Sequence, residues 1–474
     1  MVCTSRVASP VFWLCFATTQ AGAQWTVVDL DAGTGAAYGV HRDQQVGGYG
    51  RASLWYGSAG SWTSLHPDGA TGQSAAYAVY DGQQVGSAYF ASGERAGYWL
   101  GTASSWVDLQ PPGAGSSAAF GVWNGRQVGS VDGRAALWYG TPGSRVDLHP
   151  TGSLTSVARG VYGNQQVGYA MFGNAFHASL WTGSASSFVD LNPEGSGASF
   201  AYGVYEGIQA GLFIPGNYSH AALWFGSVNS VADLHPQGVG ATGSAIYGVY
   251  EGQQVGSATF KQYHAAYWSG SPTSWEDLHP KGSLISIAYG IYDDGDYTYV
   301  VGETYWDNTS GHATMWVRAN TVVPPTSFSM FRGSVISGDL SSLLDSDNSR
   351  LVLRPGAVFS TEESPIQITL HGTVGQPSPT MLGFQVESNT SVSNAEIRIA
   401  LYNFQTASYE VIERHPTSTT DTVEHVNVTN NPSRFIEPGT RNVRARLSYK
   451  ALGAVFVYPW FARIDRVRWI LPGT

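Results

Sequence analysis

An all-β chain, built from seven copies of one unit and a separate sheet domain, is the fold this sequence predicts, on three observations. Its 474 residues are only 12% charged yet include 58 Gly and 16 Trp, a balance that suits an all-β extracellular protein better than a helical cytosolic enzyme. A Trp recurs at Trp55, Trp99, Trp138, Trp181, Trp224, Trp268 and Trp316, at spacings of 44, 39, 43, 43, 44 and 48 residues. In step with it, a Gly closes "QVG" or a variant at Gly47, Gly86, Gly129, Gly168, Gly211, Gly256 and Gly302. Each unit divides into four short strand candidates, and no segment of helical period interrupts them. The length suits two or three domains, and the hydrophobic share of 43% is ample for a sizeable core.

Taken in chain order, residues 1–23 read as a secretory signal. Arg6 is the only charge, an apolar run spans "VFWLCFA" (Val11–Ala17), and "AGA" (Ala21–Ala23) offers a cleavage site near Ala23. Pro10 and the shortness of that run argue against a membrane span, and no later stretch approaches the ~18 apolar residues that a span needs. A secreted, extracytoplasmic location follows. Cys3 and Cys15 leave with the signal, so neither disulfides nor thiolate metal sites are expected. Loss of Arg6 takes the formal charge from −10 to −11. An acidic chain without Lys/Arg clusters argues against nucleic acid and anionic lipid as partners. No cofactor is implied, and a monomer is expected.

The unit is plainest in "AAFGVWNGRQVGSVDGRAALWYGTPGSRVDLHPTGS" (Ala118–Ser153). A first strand of the type "AYGVY" runs into an Asp-Gly, Asn-Gly or Glu-Gly turn in most copies, and the first two pairs are strong hairpin signals. The second strand is "QQVGSA", the third "HAALW" or "RAALW", and the fourth "SWVDLHP". Four strands in some 40–45 residues mark a β-propeller blade. The seventh unit stops after its third strand, "HATMW" (His312–Trp316). The chain after the signal opens on "QWTVVDLDAG" (Gln24–Gly33), a fourth strand without its first three. The orphan strand should complete the last blade and remove its open edge. The prediction is a seven-bladed β-propeller over residues 24–318, closed by the N-terminal strand.

Residues 319–327, within "VRANTVVPPTS" (Val317–Ser327), read as a Pro-rich linker. Residues 328–474 carry more charge and no repeat. Runs such as "RLVLRP", "PIQITLHG", "AEIRIALYNF" and "VRARLSYK" alternate as half-buried strands and predict a β-sandwich of jelly-roll type. "DSDN" (Asp345–Asn348) reads as an acidic turn, with calcium at Asp345–Asp347 left open.

The pattern "AYGVYDG-QQVG…HAALW…VDL" resembles bacterial extracellular repeats named for a His-Ala-Phe motif, over about 290 residues; this chain has Ala, Ser, Gly or Thr in place of the Phe. That resemblance implies a secreted, propeller-like array and no activity. Through "SDNSRLVLRPG" and "ARIDRVRW" the C-terminal segment is similar to C-terminal modules of secreted environmental bacterial proteins.

Two rings of polar residues are chemical candidates. In the "DLHP" segments an Asp or Ser is followed two residues later by Asp31, His66, Gln110, His149, Asn192, His235 or His279. An Asp and a His can form an acid–base couple. Repetition in every blade favours turn-capping instead. The second ring precedes each Trp by four residues: Arg51, Arg95, Arg134, His177, His220, His264 and His312. Hydrogen bonding to a neighbouring blade or to loop carbonyls is its expected role, rather than metal binding.

The loops after the second strands carry aromatics that set the blades apart: Tyr89 and Phe90; Phe172 and Phe176, beside Met171; Phe213 and Tyr218; Phe260 and Tyr263; Tyr305 and Trp306. These loops and the "DLHP" turns should share one face. Together with His66, His149, His235 and His279 they make a ligand-binding surface for an extracellular glycan or protein, unless the rings pack on one another. Non-repeated carboxylates that could serve a hydrolase are Glu94, Asp132, Glu303 and Asp307. The expected function is non-enzymatic binding through the loop face. The alternatives are an envelope-interaction protein and a polysaccharide-acting hydrolase or lyase.

Overall fold

The computed structural model describes residues 24–30, 35–48, 50–453 and 458–473. The predicted signal, its cleavage site at Ala23 and the ring position Asp31 lie outside the described residues. The chain divides into two compact units. One runs to Asp294 and resumes over Thr298–Arg318, and the other comprises Gly295–Tyr297 and Ala319–Thr474. Among the described residues, no helix is long and apolar enough to cross a membrane.

The first unit holds seven four-stranded antiparallel sheets among its described residues, each with its strands in chain order except the last. Sheet three is representative: Ser117–Trp123, Arg126–Val131, Arg134–Trp138 and Val146–Asp147. In the seventh sheet the fourth strand is the N-terminal Thr26–Asp29, which pairs with Thr314–Val317. Tight turns join first and second strands. Asn124 and Gly125 sit at φ 44° and 75°, the left-handed pair that a two-residue hairpin of right-handed twist requires.

The repeated "QVG" has a backbone cause. Every first strand is bulged against its second, in sheet three between Ala119 and Gly121. Across the bulge the second strand approaches so closely that a Cβ on Gly129 would stand 1.9 Å from Ala118 O. Glycine alone fits there.

The seven recurrent Trp side chains are fully buried. Each core cluster of this unit is shared by two consecutive sheets: Val167, Leu180 and Leu191 of the fourth sheet pack with Val204 and Trp224 of the fifth. Polar links repeat with the same logic. Gln127 Nε2 donates to Gln83 Oε1 of the preceding sheet at 2.8 Å and to Gly125 O at 2.9 Å, while its Oε1 accepts from Gly140 N–H at 2.9 Å. A buried amide with every group paired stabilises the contact rather than penalising it.

The second unit is two antiparallel sheets around one apolar core. One has five strands, from Ser327–Arg332 through Ile366–Thr373, Asn442–Ala451 and Ala395–Asn403 to Ser408–Pro416. The other orders Ser334–Ser337, Leu351–Arg354, Ala462–Leu471, Leu382–Thr390 and Thr422–Val428. The expected linker 319–327 is in part sheet: Thr321–Val323 pair with Trp469–Leu471. Two prolines marked that stretch as a join, but Thr-Val-Val before them has the β-branched residues of a strand.

Candidate functional site

The "DLHP" turn is a hydrogen-bonded joint. Asp147 Oδ1 accepts the backbone N–H of His149 at 2.9 Å, and Asp108, Asp190, Asp233 and Asp277 do the same for the residue two positions on. The His itself turns to the next sheet. Ser156 Oγ accepts Ala135 N–H at 2.9 Å, which leaves its hydrogen for His149 Nδ1 at 2.8 Å. His149 Nε2 in turn faces Ser153 O at 3.1 Å. This geometry suits the neutral ring with its proton on Nε2, the tautomer that accepts from Ser156 as Gln110 Oε1 does from Ser117. His235 and His279 repeat this arrangement with Ser244 and Ser286, and His66 Nδ1 meets Ser74 Oγ at 2.8 Å. Gln110 and Asn192 offer a carbonyl oxygen to the equivalent Ser117 and Ser199. His, Gln and Asn at this position thus perform one task, accepting from a serine that ties two sheets. Burial holds His149, His235 and His279 below the ordinary histidine value, assisted by Arg134, His220 and His264 respectively.

The couple that the sequence suggests, Asp with the His two residues on, does not form side chain to side chain. Each Asp instead pairs across its own sheet with the second ring. Arg95 meets Asp108 at 2.6 Å, Arg134 meets Asp147 at 2.6 Å, and His177, His220 and His264 meet Asp190, Asp233 and Asp277 at 2.7, 2.8 and 3.0 Å. His312 lies 3.3 Å from Asp29 across the strand pair that joins the N-terminus to the seventh sheet. The partner is thus the same sheet's fourth strand, not a neighbouring blade or a loop carbonyl.

The loops after the second strands lie beside the "DLHP" turns. Thr71 N–H and Gly72 N–H both donate to Tyr89 O, and Leu154 N–H donates to Met171 O. Most of the aromatics expected in these loops lie on strands instead, because the pairing runs on past the repeated motif. Tyr89, Phe90, Phe172, Phe213 and Tyr305 end second strands, Phe176 and Tyr263 begin third strands, and only Tyr218, Phe260 and Trp306 are in loops. Tyr89, Tyr218, Tyr263 and Trp306 are exposed. The others are engaged. Phe90 packs on Trp106, Phe172 on His177 and Phe188, Phe176 on Tyr169 and Phe200, Phe213 on His220, and Phe260 on His264 and Trp275. Of the four candidate carboxylates, Glu94 and Glu303 lie not in loops but on the strands Gly93–Trp99 and Tyr297–Tyr305; Asp132 accepts Gly115 and Ser116 N–H, and Asp307 accepts Thr309 N–H, so both brace turns. Glu94 accepts from Ser87 Oγ at 2.7 Å, and Glu303 from Tyr289 Oη at 2.6 Å.

Sequence reasoning missed the aromatic contacts between first strands. On each first strand two large residues stand three apart, as in Tyr77 and Tyr80, a spacing that sends side chains to opposite faces of a regular strand. The bulge puts both on one face. His41, Tyr80, Trp123, Tyr162, Tyr205, Tyr250 and Tyr292 then touch in succession, and Tyr292 returns to His41, at centroid distances from 4.5 to 6.1 Å. A second series runs through Tyr202, Tyr247, Tyr289, Tyr38, Tyr77 and Phe120, with Arg159 4.2 Å above the Phe120 ring. Alignment of the seven "AYGVY" segments was the signal that could have revealed these rings.

Beside the second series a cavity of about 300 Å³ opens between the first two sheets. Tyr38, Tyr77 and Tyr89 give it aromatic walls, and Gln73, Ser87 and Glu94 give it polar groups. Gly48 and Gly50 also line it, and the intervening Tyr49 lies outside the described residues. Burial is the main force raising the Tyr77 hydroxyl above its ordinary value, whereas the Glu94 charge is the main one for Tyr89. Burial also raises the Glu303 carboxyl.

No family model matches this chain, and no curated protein matches it. Among solved structures it is similar to the extracellular domain of a B. thetaiotaomicron protein, at 10% identity over 75% of this chain and 46% of that one, with a TM-score of 0.43. It is also similar to an exo-beta-1,3-galactanase from Phanerochaete chrysosporium, at 10% identity over 90% and 100% of the two chains, with a TM-score of 0.23. A xylan-binding module shares 12% identity over 32% of this chain and 97% of its own, with a TM-score of 0.22. At these scores the likenesses bear on neither site nor activity.

Proposed function

We propose that the protein is a secreted carbohydrate-binding protein whose seven sheets are the blades of one closed propeller of the His-Ala-Phe repeat type. Its principal subsite is the cavity beside Tyr38, Tyr77 and Glu94. The observation that carries this reading is the cavity's composition: three tyrosines supply flat apolar surface, while Glu94, Gln73 and Ser87 supply hydrogen-bonding groups. Sugars present that same alternation of C–H faces and hydroxyl edges, and a few placed polar groups among aromatics make a specific pocket. Support for closure lies in the N-terminal strand on the seventh sheet and in the aromatic series that returns from Tyr292 to His41.

A glycan array followed by titration calorimetry tests the proposal. Tyr77→Ala should weaken the best glycan by about 2 kcal/mol, roughly thirtyfold. Glu94→Gln should alter the ranking of glycans. An array with no binder sinks the carbohydrate reading. A second reading, a polysaccharide-acting hydrolase, is favoured by Glu303, a buried carboxyl that accepts from Tyr289 Oη at 2.6 Å and that burial shifts upward, the direction a general acid needs. Activity on a polysaccharide panel that disappears in Glu303→Gln would select it.

A further inference from the structure

We propose that Glu387, Asp421 and Asp465, in the second unit, bind one hard divalent cation of calcium size. The three come from neighbouring strands. Glu387 lies on Leu382–Thr390, Asp465 on the adjacent Ala462–Leu471, and Asp421 directly precedes Thr422–Val428 on the other side. A bulge brings them together. Glu387 faces Arg466 and Ser388 faces Ile464, so Asp465 is the extra residue with no cross-strand partner. Each of the three carboxylates contributes an oxygen, and these oxygens lie within 4.8 Å of one another.

Burial points to a ligand independently. Asp465 is 1% exposed. Its Oδ2 accepts Asn348 N–H at 3.1 Å, but its Oδ1 is buried without a hydrogen-bond partner, as is Glu387 Oε2. A carboxylate oxygen in that position costs several kcal/mol unless a positive group meets it. The nearby arginines meet only part of the need. Arg350 bonds Asp421 Oδ2, and Arg466 stops 3.7 Å from Glu387 Oε2.

The donor set selects the ion. Three carboxylates without nitrogen or sulfur suit a hard cation. Calcium, at ~2.3–2.6 Å to each oxygen, accommodates donors up to about 4.6–5.2 Å apart and tolerates irregular geometry, so a set within 4.8 Å fits it, whereas magnesium demands a near-ideal octahedron. The site also relocates the acidic tetrapeptide Asp345–Asn348. Asp347 accepts Ser349 N–H at 2.9 Å, while Ser346 Oγ and Asn348 N–H reach Glu387 and Asp465. The cation would be held by the strands, with the tetrapeptide tied to the site through Ser346 and Asn348.

The test is equilibrium dialysis of the full chain against calcium with elemental analysis, alongside thermal unfolding in calcium or in EDTA at matched ionic strength. The expected result is one bound calcium per chain and an unfolding midpoint that calcium raises and magnesium raises less. Asp465→Asn and Asp421→Asn should lower the affinity about tenfold or more and shrink the shift. Should Asp465→Asn fail to fold, dialysis of Asp421→Asn, whose side chain is only half-buried, decides. A chain that takes up no calcium at millimolar concentration, or variants that bind it as tightly, overturns the proposal and leaves the arginines as the only counter-charge.

Discussion

The seven sheets and the C-terminal pair of sheets bury apolar strands in opposite ways. In the first unit the core is partitioned: each cluster belongs to two consecutive sheets, as Val46 and Leu54 pack with Val79 and Trp99. Short polar links of Gln, Ser and His repeat at both ends of those contacts. In the second unit one cluster runs from Leu343 to Leu471 and draws on both sheets. Nearest-neighbour contacts confine the effect of a lesion to adjoining sheets. A single core spreads it through the whole unit.

That contrast can be broken by experiment. The largest effect is expected from Trp469→Ala, which empties a fully buried site in the single core. It should cost about 3–5 kcal/mol and displace one denaturant transition while the other holds. Gly129→Ala drives a Cβ onto Ala118 O and should cost about 3 kcal/mol, with hydrogen-exchange protection lost in sheet three and its neighbours only. Protection lost evenly through all seven sheets would refute the nearest-neighbour account. Gln127→Ala strands Gly140 N–H and Gln83 Oε1 and should cost about 1–3 kcal/mol, again locally.

Acidification sharpens the comparison at smaller amplitude. His149, His235 and His279 fold with values below the ordinary one, and burial, then Arg42, takes His41 down to about 4. The unfolded chain therefore binds more protons between pH ~6.5 and those folded values, and stability rises with pH across that window. The first unit should weaken as pH falls below about 6.5, with the loss continuing towards pH 4 through His41. In the second unit His415 and His371 oppose each other. A hydrogen bond to Glu424 raises His415, which favours the folded state at low pH and loses that effect as pH rises, and burial lowers His371. Its transition midpoint should move less between pH 7 and 5. Equal movement of both transitions would contradict this assignment.

Much of the repeat was legible because its causes are local. The Asn124-Gly125 turn needs left-handed backbone, and Asp147 needs only the N–H two residues on. The missing fourth strand after Trp316 pointed to Thr26–Asp29. The candidate site was legible only at its rim. The aromatics that follow the second-strand motif stand out as departures from the repeat, yet Phe90, Phe172 and Phe260 are spent on internal packing, a matter of which ring lies within reach. Tyr38 and Tyr77 lay inside the repeat and looked like ordinary strand residues.

By itself, the sequence determined the period, the four strands of each unit, the hairpin turns and the turn-capping Asp, because each depends on residues close along the chain. Only the tertiary structure decided that a bulge turns Tyr77 and Tyr80 to one side, that His149 serves Ser156 rather than Asp147, and that Glu387, Asp421 and Asp465 converge. Those outcomes rest on strand register and on contacts between sheets. A one-residue change in register sends a side chain to the other face of its sheet.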